Sequence, residues 1–145
     1  MDAYNILKQA HSGWRYVVLV LLILTIIRAI IGWANKSPYT EGNRKLNLFA
    51  MVSMHIQLLL GIVLYILSPM VQFNSETMKN DTLRYFAVEH WFGMVIAIVL
   101  ITIGHSKSKK IVLPEIKHKT IAIYYLIAIL IVVGTLVSGH IPILK

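Results

Sequence analysis

The chain alternates between four long apolar runs and three short polar connectors. The runs cover about residues 16–33, 46–69, 85–104 and 121–139, and the connectors read ANKSPYTEGNRK, VQFNSETMKNDTLR and SKSKKIVLPEIKHK. Each run approaches or exceeds the ~20 residues that a helix needs to cross the hydrocarbon core of a membrane. The pattern predicts helices over about 4–34, 44–69, 82–106 and 119–140. We therefore expect an all-α fold, an integral membrane four-helix transmembrane bundle, forming one domain over 1–145.

Composition supports a membrane protein and removes several kinds of chemistry. Hydrophobic residues make up 57% of the chain and charged residues only 14%, which is unusual for a soluble domain. There is no cysteine, so disulfides, thiolate metal sites and cysteine nucleophiles are excluded. The net charge of +8 would suggest nucleic acid in a soluble protein. Here the basic residues gather at the ends of apolar runs, so we expect membrane lipid and no nucleic acid as the partner.

The basic residues also predict the orientation in the membrane. Four spans place both termini on one side, and the first and third connectors on the other. Those two connectors carry eight lysines and arginines, whereas the opposite side carries five. Because basic loops stay in the cytoplasm, we expect a multi-pass protein of a bacterial inner membrane with both termini on the outer, periplasmic side.

The third run contains two ionisable residues, Glu89 and His90, in the stretch RYFAVEHWFGMVIAIVLITIGHSKSKK. An acid at the centre of a membrane helix costs on the order of 2.5–3.5 kcal/mol even on the lenient insertion scale. Such residues usually mark a functional site. The alternative is that this helix enters the bilayer only near Phe92, which leaves both groups in the wet interface at little cost.

Three histidines lie where they could cooperate across helices. At ~1.5 Å per residue, counting from the inner end of each helix places His11 and His90 in the outer half of the bundle. The same count places His55 between the middle and the level of His90. The heights therefore permit His55 with His90, or His11 with His90, and disfavour His11 with His55. His105 and His118 border the basic connector, and we expect them to be ordinary residues of the membrane surface.

Histidines that meet between helices in an apolar bundle are typical of haem b sites. The iron takes two imidazoles, and the flat macrocycle fits where glycines such as Gly61 and Gly93 leave room. The expected metal ligands are His90 and His55, with His11 in place of His55 as the alternative. Zinc is less suited to this setting because it needs three or four converging ligands.

Two further groups complete the predicted haem site. Arg15 or Arg84 near the membrane surface would pair with the haem propionates. Glu89 would be the charge partner of the site or the acceptor of a quinol proton, because burial raises a carboxyl pKa toward neutrality.

Nearly the whole chain resembles a group of small bacterial four-helix membrane proteins labelled cytochrome b-like. The resemblance lies in HSGWRYVVLVLLIL, HIQLLLGIVLYILSP, FAVEHWFGMVIAIVLITIGHSKSKK and KHKTIAIYYLIAIL. It implies bound haem and electron transfer, and on the matching positions it implicates His11, His55 and His90.

Three functions remain open at this point. The first is a haem-b electron-transfer subunit that connects membrane quinol with a periplasmic acceptor. The second is a non-catalytic small subunit that packs with, or helps to assemble, a larger respiratory or other membrane complex, in which the histidines only make interhelical hydrogen bonds. The third is a proton or ion carrier, which the scattered ionisable residues support least.

Overall fold

Four long helices make up the fold. The structure, a computed structural model, describes residues 3–67 and 89–138. Within these ranges the chain forms α1 (Ala3–Asn35), α2 (Glu41–Leu67), α3 (His90–Lys110) and α4 (Pro114–Ser138). All four are long and apolar enough to cross a membrane. The predicted all-α four-helix transmembrane bundle is confirmed, and the chain is a multi-pass membrane protein.

The two short connectors are shaped by local hydrogen bonding. The residue that follows α1, Lys36, has a left-handed backbone conformation, with φ of 52°. The amide of Ser37 then donates to the carbonyl of Gly32 at 2.9 Å, and the amide of Lys36 donates to Trp33 at 3.4 Å. This is the Schellman arrangement that satisfies the last carbonyls of a helix. Glycine usually occupies the left-handed position, so a lysine there did not indicate in advance that the helix ends at this point.

Both helices that follow a short connector begin earlier than the hydropathy pattern predicts. α2 begins at Glu41 rather than near 44, because the Thr40 hydroxyl caps it by accepting the Asn43 amide at 3.2 Å. α4 begins at Pro114 rather than near 119, a position where proline suits the first turn of a helix. α3 continues to Lys110 rather than ending near 106. Apolar runs mark the membrane-crossing part of a helix, whereas caps determine where the helix ends. The predicted segments 68–69, 82–88 and 139–140 lie outside the described residues.

The helices pack in a ring. α1 packs on α2 and α4, and α3 packs extensively on α4 and less on α2, so α1 and α3 lie diagonally opposite each other. The core between them is apolar and includes Leu22, Ala97, Ile101, Ile121 and Tyr125.

The outward faces of the helices are also apolar. On α1, for example, Val20, Ile23 and Ile27 are about half exposed, as expected of a surface that faces lipid tails.

Hydrogen bonds to backbone carbonyls of α2 join it to two other helices, its neighbour α1 and the diagonally opposite α4. The indole of Trp14 on α1 donates to the carbonyl of Ser53 on α2 at 2.8 Å. The hydroxyl of Tyr125, which is fully buried on α4, donates to the carbonyl of Asn47 on α2 at 2.9 Å. Such bonds matter in lipid, where a polar group without a partner is costly. They also fix the vertical register of α1 and α4 against α2.

The orientation in the membrane is still a prediction, and single cysteines test it. The chain contains no cysteine of its own, so each variant carries one thiol. Val112, in the connector between α3 and α4, is 88% exposed, and Lys8 is an exposed residue near the start of α1. We expect an impermeant thiol reagent applied to the periplasmic side to label Lys8→Cys and to leave Val112→Cys unlabelled. The opposite pattern, with both variants labelled after the membrane is opened, would reverse the orientation.

Candidate functional site

Two histidines meet in the half of the bundle that lies away from the short connectors. The ring of His11 on α1 and the ring of His90 at the start of α3 are 6.4 Å apart between centroids, with an interplanar angle of 60°. Both side chains are partly buried. Because α1 and α3 are diagonal partners in the ring of helices, the two imidazoles approach each other across the bundle rather than along one helix–helix seam.

The distance between the rings has chemical meaning. A metal ion binds imidazole nitrogen at ~2 Å, and the nitrogen lies ~1 Å from the ring centre. Two imidazoles that bind one metal ion from opposite sides therefore hold their ring centres ~6 Å apart. The 6.4 Å separation between His11 and His90 is close to this value.

α2 supports the His11 side of the site. Nε2 of His11 lies against Gly61, where a Cβ atom would be only 3.4 Å away. One turn earlier on α2, the side-chain amide of Gln57 donates to the backbone carbonyl of His11 at 2.8 Å. This bond anchors the backbone that carries the imidazole. A Cβ atom at Gly61 would be in ordinary van der Waals contact with the imidazole, so the backbone of α2 passes close to the ring.

His55 does not belong to this pair. Its Nε2 lies 2.9 Å from the hydroxyl of Thr102 on α3. Thr102 comes twelve residues after His90, which is ~18 Å along a helix. The structure therefore does not bring His55 and His90, the predicted ligand pair, together. His90 is the first residue of α3, whereas Thr102 lies in the second half of that helix, so the two histidines lie at different heights in the bundle.

The remaining predicted site residues have different surroundings. The side chain of Thr135 on α4 packs directly against Gly93. A Cβ atom at Gly93 would collide with that side chain, lying 3.1 Å from its Cγ2. Arg15 donates to the hydroxyl of Tyr16 at 3.2 Å, with its guanidinium 5.0 Å from the centre of that ring. Glu89 is exposed and immediately precedes α3, so its carboxyl is not in the core of the bundle.

Arg84, the alternative partner for the propionates, lies outside the described residues. Within the described part of the chain, no three His, Asp or Glu side chains gather closely enough to hold a metal ion by themselves.

The structure contains a second polar region that the sequence interpretation missed. It lies at the end of the bundle near the two short connectors, which we call the connector end (residues 36–40 and 111–113). His105 and His118, expected to be surface residues, are only 1% and 3% exposed. Neither ring nitrogen of His105 has a hydrogen-bond partner within the described residues. The ring of His118 packs 5.2 Å from that of Tyr39, and its Nε2 lies 3.3 Å from the carbonyl of Pro38.

A helical spacing could have identified these two histidines. His105 shares its face with Ile98, Ile101 and Ser108, and all four are buried. His118 similarly precedes buried Ala122 and Tyr125 on α4. Residues at such three- and four-residue intervals lie on one face of a helix. Both histidines were expected at the membrane surface because lysines lie close to them in the sequence, and basic residues at a helix end are typical of that surface.

A short chain of hydrogen bonds connects the first connector, at Tyr39, with the buried core at Tyr125. The amide of Asn47 donates to the phenol oxygen of Tyr39 at 2.6 Å, and the Asn47 carbonyl accepts from Tyr125. Burial raises the pKa of the Tyr39 phenol, so the phenol is protonated at neutral pH. The arrangement ties the first connector to α2 and α4.

Comparison with known proteins adds no further constraint. No protein-family model, curated protein or solved structure matches the chain. The resemblance to cytochrome b-like proteins therefore stays a prediction, and function has to be argued from the site.

Proposed function

We propose that this protein is a haem-b-type membrane electron-transfer subunit in which His11 and His90 would hold the haem iron. One observation carries the proposal: imidazoles from diagonally opposite helices lie 6.4 Å apart in the bundle. That spacing suits two ligands of a single metal ion. The His11–His90 pair replaces the pair of His55 with His90, because His55 is bonded to Thr102 instead.

The number of ligands favours haem over a bare metal ion. A structural zinc site takes four protein ligands and a catalytic one takes three, whereas the described residues hold no group of three. Haem iron brings four nitrogens with its macrocycle and needs only axial ligands from the protein. Two histidines facing each other across a helical bundle fit that requirement.

The surroundings of His11 leave room for a haem, whereas on the His90 side the helices or a side chain would have to move. Gly61 presents bare backbone to His11, as the edge of a flat macrocycle would need. Gly93 is already covered by Thr135, so α3 and α4 would have to separate, or the Thr135 side chain turn away, for a macrocycle to extend there. Arg15 lies one turn after His11 and would pair with a propionate by leaving its hydrogen bond to Tyr16.

The expected partners follow from the position of the site. Haem b would supply a one-electron carrier. Glu89, exposed beside His90, would accept a proton from membrane quinol. With both termini on the periplasmic side of a bacterial inner membrane, the site would lie near that surface, where an acceptor or a larger respiratory complex could receive the electron.

An absorption spectrum of the purified protein tests the proposal. We expect protein made with ample haem to show a Soret band, and dithionite to produce the sharp visible bands of a haem with two imidazole ligands. A folded, helical protein that never takes up haem, either in cells or on titration with hemin, would contradict the proposal. That result would favour the alternative function, a small subunit that packs with a larger membrane complex.

A further inference from the structure

A pocket at the connector end, lined by both apolar and polar residues, has no role in the proposed haem site. It has a volume of about 220 Å³ and lies where the end of α1, the first connector, the start of α2 and the start of α4 meet. Its lining includes Arg28, Ser37, Thr40, Asn43 and His118. At ~30 Å³ per water molecule, this space can hold one tetrahedral anion with a few waters.

Arg28 is held in a defined position at this pocket. Its Nη2 donates to Oδ1 of Asn43 at 3.0 Å, so the long side chain reaches from the apolar part of α1 to the first turn of α2. Asn43 is fixed in turn, because its side-chain amide donates to the carbonyl of Pro38 at 3.3 Å. A guanidinium has five N–H donors, and the bond to Asn43 uses one of them.

Hydroxyl groups add further donors. Thr40 accepts the amide of Asn43 through its Oγ1, which leaves its own O–H available to donate. Ser37 also lines the pocket, and its hydroxyl can donate as well. A guanidinium and two hydroxyls around one small cavity match the oxygen atoms of a phosphate group.

The local charge and packing are consistent with an anion. Glu41, at the start of α2, is paired with Arg44, so its negative charge is compensated within the protein. Gly32 lets the ring of His118 close the pocket, since a Cβ atom there would lie 2.6 Å from that ring. The cavity is thus formed by tight packing between α1 and α4.

We infer that this pocket binds a phosphate-bearing anion, whose phosphate accepts hydrogen bonds from Arg28, Ser37 and Thr40. Two sources share this chemistry: the headgroup of an anionic phospholipid and a free phosphate. The lipid fits the surroundings better, because Ile31 beside Arg28 is 49% exposed and Trp33 is 39% exposed, which offers apolar surface to acyl chains. Anionic lipid headgroups also bind preferentially to basic side chains at the cytoplasmic surface of the membrane, where we expect this end of the bundle to lie.

The test measures binding to detergent-purified, delipidated full-length protein by native mass spectrometry and thermal shift. The probes are dihexanoyl phosphatidylglycerol, dihexanoyl phosphatidylcholine and inorganic phosphate. We expect saturable binding of phosphatidylglycerol, weakened about tenfold or more by Arg28→Gln, because a charge-assisted hydrogen bond is lost. Ser37→Val, which replaces the hydroxyl donor by a methyl group without removing charge, should weaken binding similarly.

The matched control is Lys45→Gln, which removes one positive charge from an exposed position near the start of α2 and should change the affinity less than about twofold. Equal losses in the Arg28 and Lys45 variants would overturn the inference in favour of diffuse attraction to the basic end. So would unchanged binding in Ser37→Val. Pocket-dependent binding of inorganic phosphate alone, without a preference for the lipid, would support the site and identify a free phosphate as its ligand.

Discussion

His90→Ala and His11→Ala should each yield protein that is folded but carries no haem. Each substitution removes one of the two imidazoles that lie 6.4 Å apart. Changing a residue that merely supports a metal ligand typically costs 10–100-fold in affinity. Loss of the ligand itself should therefore cost roughly 100-fold or more, and the Soret band should disappear at stoichiometric haem. Hemin titration of the purified variants, with far-UV circular dichroism to verify helicity, measures both properties.

His55→Ala is the matched control for this prediction. It also removes a partly buried imidazole from the bundle, but that imidazole bonds to Thr102 at ~18 Å from His90 along α3. We expect the His55 variant to keep its haem spectrum and to lose only a modest amount of stability, since interhelical hydrogen bonds in membranes average about 0.6 kcal/mol. Added imidazole should restore the spectrum of His90→Ala by entering the vacated position.

Two results would contradict the assignment of the ligands. One is an unchanged haem spectrum in both His11→Ala and His90→Ala. The other is a loss of haem in His55→Ala equal to that in the other two variants, with helicity retained.

Gly104→Ala should destabilise the bundle by about 1–3 kcal/mol, the usual range for overpacking. The added Cβ atom would lie 2.5 Å from Cβ and 2.8 Å from Cγ of Tyr124 on α4. The base of a side chain cannot swing aside as its tip can, so α3 and α4 must separate. This is the most extensive helix pair in the bundle, and small residues are what allow membrane helices to approach so closely.

Gly134→Ala on α4 is the control, because a Cβ atom there meets no atom of the described residues within 4 Å. Alanine favours helix by up to about 1 kcal/mol relative to glycine, so this variant should be neutral or slightly more stable. The two glycine-to-alanine changes are thus expected to have opposite signs. Denaturant titration in micelles, followed by circular dichroism, measures both. Equal stabilities for the two variants would mean that the contact between Gly104 and Tyr124 is not what limits the approach of α3 to α4.

The four membrane-spanning helices were determined by the sequence alone. In lipid, backbone amides and carbonyls have no water to bond with, so a long apolar run has to become a helix. The runs around 16–33, 46–69, 85–104 and 121–139 were sufficient for that conclusion. The helix ends were harder to predict from the apolar pattern, because they depend on single residues outside it. Thr40 caps the start of α2, and Pro114 begins α4.

The grouping of side chains was decided only by the tertiary structure. Which histidine faces His90 depends on the ring order of the helices, their rotation and their vertical register. The bonds from Trp14 and Tyr125 to carbonyls on α2 fix that register through contacts between distant parts of the chain. Counting along separate helices permitted either His55, the expected ligand, or His11, the alternative, because an error of a few residues at one end moves a side chain by ~5 Å. Packing brought His11 to His90, bonded His55 to Thr102 and buried His105, because only contacts between helices can select among side chains that each helix presents equally well.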